Sequence, residues 1–419
     1  MYNPSPEGFV LYTMQSADFI IVGGGAAGIF CAVNMARLHP DRRVLILEKT
    51  GKLLSKVKIS GGGRCNVTHA CFDIDELSRR YPRGGSFVKK TFHQFAPADT
   101  VQWFADRGVQ LKTEEDGRMF PVSNSSQTII DCLMQEVNRY GVTIEMNADV
   151  KELTYVNDHF VLTSATGRNW QAPAVCIASG GFPKLSQFDW LASTGHTIEP
   201  PVPSLFTFNM PGHSITKLMG LSVEQARVRI GGSKLESNGP LLITHWGMSG
   251  PAILRLSAWA ARELHERQYN FSITVNWLPA HHEESLRLLF QQFRQQIPAQ
   301  KISSRNQLGL PHRLWEYLLQ ESHISPERRW ADLSSKEQNQ LIRHCCHHSF
   351  DIKGKTTFKD EFVTAGGIRL SEVDHRTLMS RKQPNLYFAG EILDVDGITG
   401  GYNFQHAWTS GMIVAKNAI

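Results

Sequence analysis

The sequence predicts an α/β fold: a Rossmann-like parallel sheet, interrupted by a β-rich domain that carries a small helical subdomain. Three observations predict it. Phe19-Ile20-Ile21-Val22 is an apolar, β-branched run that enters Gly23-Gly24-Gly25-Ala26-Ala27-Gly28 and then a helical pattern up to Leu38. Val44-Leu45-Ile46-Leu47 is a second such run and ends on Glu48. Near the C-terminus, Asn385-Leu-Tyr-Phe-Ala-Gly390-Glu391 repeats the strand, glycine and acid, followed by an apolar helix pattern. Strands that are apolar on both faces belong in a buried parallel sheet, and their alternation with helices gives βαβ units.

At 419 residues the chain is long enough for about three compact domains of roughly 150 residues each. Hydrophobic residues make up 41% and charged residues 20%, which excludes disorder and the collagen, coiled-coil and disulfide-scaffold classes. The charge is 44 basic minus 39 acidic residues, or +5, a mild excess that allows a polyanionic partner without requiring one. Seven Cys (31, 65, 71, 132, 176, 345 and 346) show no framework spacing, as expected in a reducing compartment. The first residues, MYNPSPEGFVLYTMQS, carry no Lys or Arg and do not read as a signal peptide. No apolar run is long enough to span a bilayer. A soluble cytoplasmic protein is expected, with residues 1–13 an optional lead-in before Met14.

Each glycine of the first turn has a physical task. Gly23 allows the tight turn, Gly25 lets a pyrophosphate approach the backbone, and Gly28 lets the helix pack closely on its strand. The amides around Ala26 and Ala27 face the phosphates, and Glu48 accepts from a ribose 2′-hydroxyl. An acid at 48 suits an adenosine ribose without a 2′-phosphate, which fits both FAD and NAD. Later segments favour FAD. Residues 174–183 read as a buried strand ending in a Gly-Gly turn, which places Ser179, Gly180 and Gly181 in the expected set. The C-terminal segment adds Gly390, Glu391, Asp394, Gly400, Gly401, Tyr402 and Asn403. That return of the chain is the layout of glutathione-reductase-type flavoproteins. A helix starting near Gly401–Asn403 would aim its amides at the flavin N1–C2 carbonyl edge and stabilise the reduced anion. Lys49, Val150 and Gly367 complete the expected cofactor-binding set, together with Ser60, Gly61, Gly62, Gly63, Arg64 and Asn66. No second strand–GxGxxG–helix unit is seen for a nicotinamide cofactor.

Ser60-Gly-Gly-Gly63-Arg64-Cys65-Asn66, Thr244-His245-Trp-Gly247-Met-Ser249-Gly250-Pro251, Val363-Thr-Ala-Gly-Gly367-Ile and Gly390-Glu391…Gly400-Gly401-Tyr402-Asn403 carry a family resemblance. With the first glycine turn, these motifs make residues 17–419 resemble the BaiN/RdsA-type family of NAD(P)/FAD-dependent oxidoreductases. The resemblance implies a flavin fold broken by a β-rich domain with a helical cap. It also implies reduction of an activated C=C bond, in uridine of large-subunit ribosomal RNA or in a steroid-like enone, with NAD(P)H as transient donor. Ser179 stands where Thr is commoner, and Ser204-Leu205-Phe206 departs from the usual approach to the insertion.

The candidate catalytic residues are Cys65, Arg64 and His245. Reduction of a conjugated C=C requires a proton donor and donors for the developing enolate. Cys65 is the candidate acid, although a neighbouring Arg64 would lower its pKa and leave less of the thiol protonated to serve as donor, which counts against that role; the alternative is that Cys65 packs beneath the flavin. His245 is either a substrate-facing donor or part of a structural turn in which Ser249 caps the helix opened by Pro251. The run His344-Cys345-Cys346-His347-His348 lacks metal-ligand spacing, so no metal is expected.

The domains expected are a first flavin segment 14–195, a β-rich insertion 196–278, a helical subdomain 279–345, a return strand 346–362 and a second flavin segment 363–419. From 37 to 93 there are 13 Lys/Arg against 5 Asp/Glu, with Tyr81, Phe87 and Phe92 interleaved among Arg79, Arg80, Arg83, Lys89 and Lys90. From 280 to 355 the count is 11 against 8, with seven His. Such faces suit RNA phosphates and stacked bases, or are simply solvated. The favoured reading is a reductase of uridine in ribosomal RNA or its precursor. The alternatives are a small-molecule enone reductase, an amine oxidase and a non-catalytic flavin redox sensor. The oligomeric state is not readable.

Overall fold

The computed structural model describes residues 14–304, 306–356 and 363–418. The lead-in 1–13 and the last part of the expected return strand, 357–362, lie outside the described residues. The chain divides into two units, residues 1–202 with 363–419, and residues 203–362. The first boundary falls seven residues beyond the 195/196 division read from the sequence. The reason is strand Ile198–Ser204, which pairs with Val363–Ile368 of the returning chain.

The first unit is built on a five-stranded sheet in the order Leu386–Phe388, Ala174–Ile177, Phe19–Val22, Val44–Leu47, Thr143–Glu145. All four of its pairings are parallel, with Phe19 opposite Val44 and Ala174 opposite Phe19. Every residue of Phe19–Val22, Val44–Leu47 and Ala174–Ile177 is buried, which is why these strands read as continuous apolar runs. Helix Ala26–Leu38 follows the first strand and meets the C-terminal helix Tyr402–Asn417. Their approach is close: a Cβ on Gly411 would lie 2.8 Å from the Ala27 carbonyl oxygen. Phe30 and Trp408 fill the seam with ring centroids 5.2 Å apart. A meander of Val150–Val156, His159–Ser164 and Asn169–Ala172 is joined at one edge by Gln15–Ser16. A small antiparallel sheet of Thr68–His69, Arg118–Pro121 and Leu111–Thr113 completes the unit.

The second unit holds a seven-stranded sheet that includes Ser222–Ile230, Glu236–Ile243, Asn270–Asn276 and His348–Lys353. These four strands pair antiparallel, and Ser222–Ile230 alternates buried and exposed residues as a one-sided sheet should. Helices Glu283–Gln296, His312–Glu321 and Ser335–Cys346 form the helical part and bury Leu286, Phe290, Trp315, Leu318 and Leu341. Cys345 and Cys346 are buried at the end of the last of these helices. Helix Pro251–Trp259 starts at Gly250, φ +90°, with Pro251 in its first turn. Ser249 is therefore not the cap expected from the sequence; it ends strand Gly247–Ser249, and the left-handed backbone at Gly250 makes the turn instead.

Burial holds several histidines neutral. In the first unit His406 is pushed down to about 4, and in the second His348 is pushed down to about 3, with His344 and His213 adding repulsion. The folded values lie below the unfolded value of about 6.5, so the stability tied to these rings is present above that pH and lost as pH falls through the folded values. Denaturant titrations from pH 7.5 to pH 4.5 should show stability falling below about pH 6.5, with a shallower fall in His406→Asn.

Candidate dinucleotide-binding active site

Four neighbouring parallel strands end at one edge of the first unit's sheet, and each ends in a segment singled out from the sequence. Val22 leads into Gly23–Gly28, Leu47 into Glu48, Ile177 into Ser179–Gly181 and Phe388 into Gly390–Glu391. The register carries past the strands through Gly23 N to Leu47 O at 2.8 Å, Ala178 N to Val22 O at 2.8 Å and Ala389 N to Ile177 O at 3.0 Å. Ligands of open α/β sheets bind beyond the carboxyl ends of such strands.

The first turn is sterically compelled. A Cβ on Gly28 would lie 1.9 Å from the Gly23 carbonyl oxygen, and one on Gly24 would lie 2.4 Å from Leu53 Cδ2. Gly25 differs, since a Cβ there would meet nothing within 4 Å. That open space lies at the N-terminus of helix Ala26–Leu38, which has no side-chain cap and no acid in its first turn. Its first amides are left to a ligand, and the dipole makes that ligand an anion. Gly180 also faces open space. Beside it, Ser179 Oγ and Thr364 Oγ1 are buried without a hydrogen-bond partner among the described residues. Helix Tyr402–Asn417 likewise starts without a side-chain cap or an acid in its first turn.

Its start is held from below. Gln405, fully buried, accepts from Thr68 Oγ1 at 2.6 Å and Thr100 Oγ1 at 2.9 Å, while Trp408 Nε1 donates to the Val67 carbonyl at 2.9 Å. The Asn66 side chain, oriented to suit both neighbours, accepts from Gly401 N and donates to Thr68 O, each at 3.0 Å. The Tyr402 ring stacks on His69 at 4.7 Å between centroids. Glu48 is 8% exposed and accepts from Gly24 N at 2.8 Å, Thr50 N at 2.9 Å and Thr50 Oγ1 at 2.8 Å. A carboxylate has about four lone-pair sites, so it keeps capacity for one further donor. Glu391 pairs with Lys56 at 2.6 Å and accepts from Thr364 N at 2.8 Å. Lys49 lies 5.5 Å from the Phe182 ring centroid, and Val150, buried, opens the first strand of the meander. A diphosphate with a flat ring fits this arrangement: open glycine backbone at the phosphates, an acid near the first turn, and a second uncapped helix start.

The family model described as HI0933-like protein Rossmann domain matches residues 17–417. The chain belongs to this family. It is 30% identical over 406 residues to a 3-dehydro-bile acid delta(4,6)-reductase of Clostridium scindens, across 95% of this chain and 98% of that one. It is also 30% identical over 416 residues to a ribosomal RNA dihydrouridine synthase of Escherichia coli, across 97% and 99%. Among solved structures, a 3-ketosteroid-delta4-(5alpha)-dehydrogenase of Rhodococcus jostii is similar in fold, with a TM-score of 0.52 at 12% identity over 97% of this chain and 98% of that one. Membership makes this chain an FAD-dependent oxidoreductase.

Several expected roles change. The stretch Ser60–Gly63 is not a plain loop: it closes the helical segment Ser55–Gly63, whose backbone leaves helical geometry at Ser60, Gly61 and Gly62. Cys65 is fully buried in left-handed backbone, φ +60°, and burial pushes its thiol up to about 12. Arg64 does not lower it, because the guanidinium is committed to Glu114 at 2.5 Å and lies 4.0 Å over the Phe120 ring. A buried thiol with a raised value favours the packing alternative for Cys65 over proton donation. The Asn403 amide bridges both sides of Gly397, accepting from its N at 2.8 Å and donating to its O at 2.9 Å, which orients the side chain within its own turn. His245 belongs to the second unit, exposed in a turn closed by Thr244 N to Gly247 O at 2.7 Å. Among the described residues no group of three or more His, Cys, Asp or Glu is placed to hold a metal. No described helix is long and apolar enough to cross a membrane. Sequence reasoning missed Lys56, Thr364, Gln405 and the buried pair Arg83–Asp396. Thr364 lies inside the Val363–Ile368 motif; the others carry no local signal.

Native protein treated with iodoacetamide at pH 8 should remain unlabelled at Cys65 by peptide mass mapping and become labelled on denaturation. Because the folded value is raised, stability tied to this thiol is full below about pH 8.5 and lost as pH rises towards its folded value.

Proposed function

We propose that this enzyme reduces a C=C bond conjugated to a carbonyl, with NAD(P)H as transient electron donor. The observation that carries the reading is the convergence of four glycine- or acid-bearing segments on one sheet edge, in a chain whose relatives of near-equal length are a bile-acid reductase and dihydrouridine synthases. Uridine and a steroid enone share the same reacting group, an alkene polarised by a neighbouring carbonyl. FAD, when bound, supplies the hydride equivalent to the electron-poor carbon.

The chain's own part is binding and polarisation. The first helix start would hold the diphosphate, Glu48 the ribose, and the start of Tyr402–Asn417 the flavin's carbonyl edge. Arg64 carries a permanent charge, partly exposed beside the Gly61–Gly63 backbone, and its remaining donors can hold a substrate carbonyl as negative charge develops on it. Stacking on Phe120 and pairing with Glu114 fix the guanidinium in place before substrate arrives.

Uridine in ribosomal RNA remains the favoured substrate, and two of the relatives support it. A second reading, a free enone, is favoured by how the first unit spends its cations. Arg80 pairs with Glu76, Arg83 with Asp396 and Lys89 with Asp75, while Tyr81 and Phe92 are buried. Part of the run from 79 to 92 is thus engaged within the protein, which leaves the exposed Arg79 and Lys90 as the cations of this face paired with no carboxylate among the described residues.

Anaerobic turnover with NADH or NADPH decides between them. With unmodified large-subunit ribosomal RNA, the uridine reading predicts a gain of two hydrogens at a uridine by mass mapping and RNA binding that weakens as salt rises. Turnover of a steroid-like enone without RNA turnover overturns that choice in favour of the second reading; turnover of neither overturns the reaction class. Arg64→Lys should lower kcat for either substrate by about 10²-fold or more, with FAD affinity retained, since a bidentate planar donor is replaced by a point charge.

A further inference from the structure

Asp396 is a buried carboxylate that the cofactor site itself does not explain. It is 0% exposed, in the loop between the short turn Gly390–Ile392 and helix Tyr402–Asn417. Arg83 meets it with Nε on one carboxylate oxygen and Nη2 on the other, and the two residues also form an antiparallel backbone bridge. Asp396 is wholly out of water while the Arg83 side chain keeps 13% exposure, and because desolvation offsets the attraction such a pair is weak evidence for stability. What the two-point fork does secure is geometry, because it fixes one plane against another.

Neighbours of Arg83 grip the same loop. The Arg80 carbonyl accepts from Ile398 N at 2.9 Å. The Tyr81 hydroxyl, buried, donates to the Tyr402 carbonyl at 2.6 Å, on the first residue of the helix. Gly84 sits at φ +78° where a Cβ would lie 2.6 Å from Val395 Cγ2, so backbone packs directly on the loop. From inside the helix, Asn403 clamps Gly397 through both its amide atoms. The segment from 80 to 84 therefore holds residues 395–402 at four points distributed along their length.

The loop ends where the helix dipole begins. A helix N-terminus carries roughly half a positive charge, and its effect falls off within the first turn. Its influence on a nearby anion thus depends on where the first amides are fixed. We infer that Arg83 and Tyr81 are positioning residues which, by fixing the loop before Tyr402, set the reduction potential of the bound flavin. This rests on the FAD-dependent reading above, in which the start of Tyr402–Asn417 faces the N1–C2 carbonyl edge, the part of the ring that is negative when reduced. The ADP half of the cofactor is held elsewhere, at Gly23–Gly28, so affinity and potential should respond separately.

The test uses holoprotein of three variants: Tyr81→Phe, Arg83→Lys, and the double variant Arg83→Leu with Asp396→Leu. Tyr81→Phe keeps the buried ring and removes one hydrogen bond; the double variant removes both buried charges together, so neither is left facing an apolar cavity. FAD affinity is read by flavin fluorescence and the midpoint potential by equilibration with a reference dye. We expect FAD affinity to change by less than about threefold. The reduced-to-oxidised ratio at fixed potential should fall about tenfold in the double variant, a shift of about 30 mV to more negative values for a two-electron couple. Arg83→Lys, which keeps the charge without the fork, should fall between that variant and the wild type. Potentials unchanged in all three FAD-loaded variants overturn the proposal, as does a loss of FAD affinity that tracks a loss of fold with no shift in potential. A wild-type protein that takes up no FAD overturns the parent reading instead, and is recognised before any variant is measured.

Discussion

The contact between helix Ala26–Leu38 and the C-terminal helix Tyr402–Asn417 is the constraint on which the first unit depends. It joins two segments nearly four hundred residues apart, and glycine makes it close enough to matter. With Gly411 against the Ala27 carbonyl and Gly390 against the Ala27 Cβ, no larger residue is accommodated without a shift. Phe30, Phe95, Trp103, Phe104 and Trp408 then fill the seam with tilted and edge-on aromatic contacts. Buried polar groups within it are paired, as Trp103 with Asn34 and Trp408 with Val67, which gives the seam a single register. Once that register is set, both helix starts are fixed relative to the sheet edge.

Much of this is legible in the sequence because the physics is local. Phe19–Val22, the glycine turn and Val44–Glu48 form a continuous stretch in which each residue type answers a steric or electrostatic need of its immediate neighbours. The C-terminal return is legible for the same reason, since strand, glycine, acid and helix again follow one another. The start of the last helix, placed near Gly401–Asn403, falls at Tyr402 because left-handed backbone at Gly401 admits no earlier beginning.

What is not legible depends on contacts far apart in sequence. Cys65 and Arg64 are adjacent, and proximity alone suggests an activated thiol; Glu114 and Phe120, some fifty residues on, take up the guanidinium and leave the thiol to desolvation. In the basic, aromatic run around Arg80–Phe92, the carboxylates that meet Arg80 and Lys89 are close in sequence, at Glu76 and Asp75, whereas the one that meets Arg83 is not. Asp396 lies 313 positions from Arg83, and only the fold brings them together. Asn403 is the reverse case, a side chain in the motif whose orientation is set by Gly397 within its own turn.

The central claim is that the sheet edge and both helix starts together hold one FAD. Titration of apoprotein with FAD, followed by flavin fluorescence and visible absorption, tests it most directly, with FMN as the comparison. Saturation at one FAD per chain, a perturbed flavin absorption band and much weaker uptake of FMN, which lacks the adenosine half that Gly23–Glu48 would hold, are expected. Equal affinity for the two, or no uptake of either, would contradict that claim.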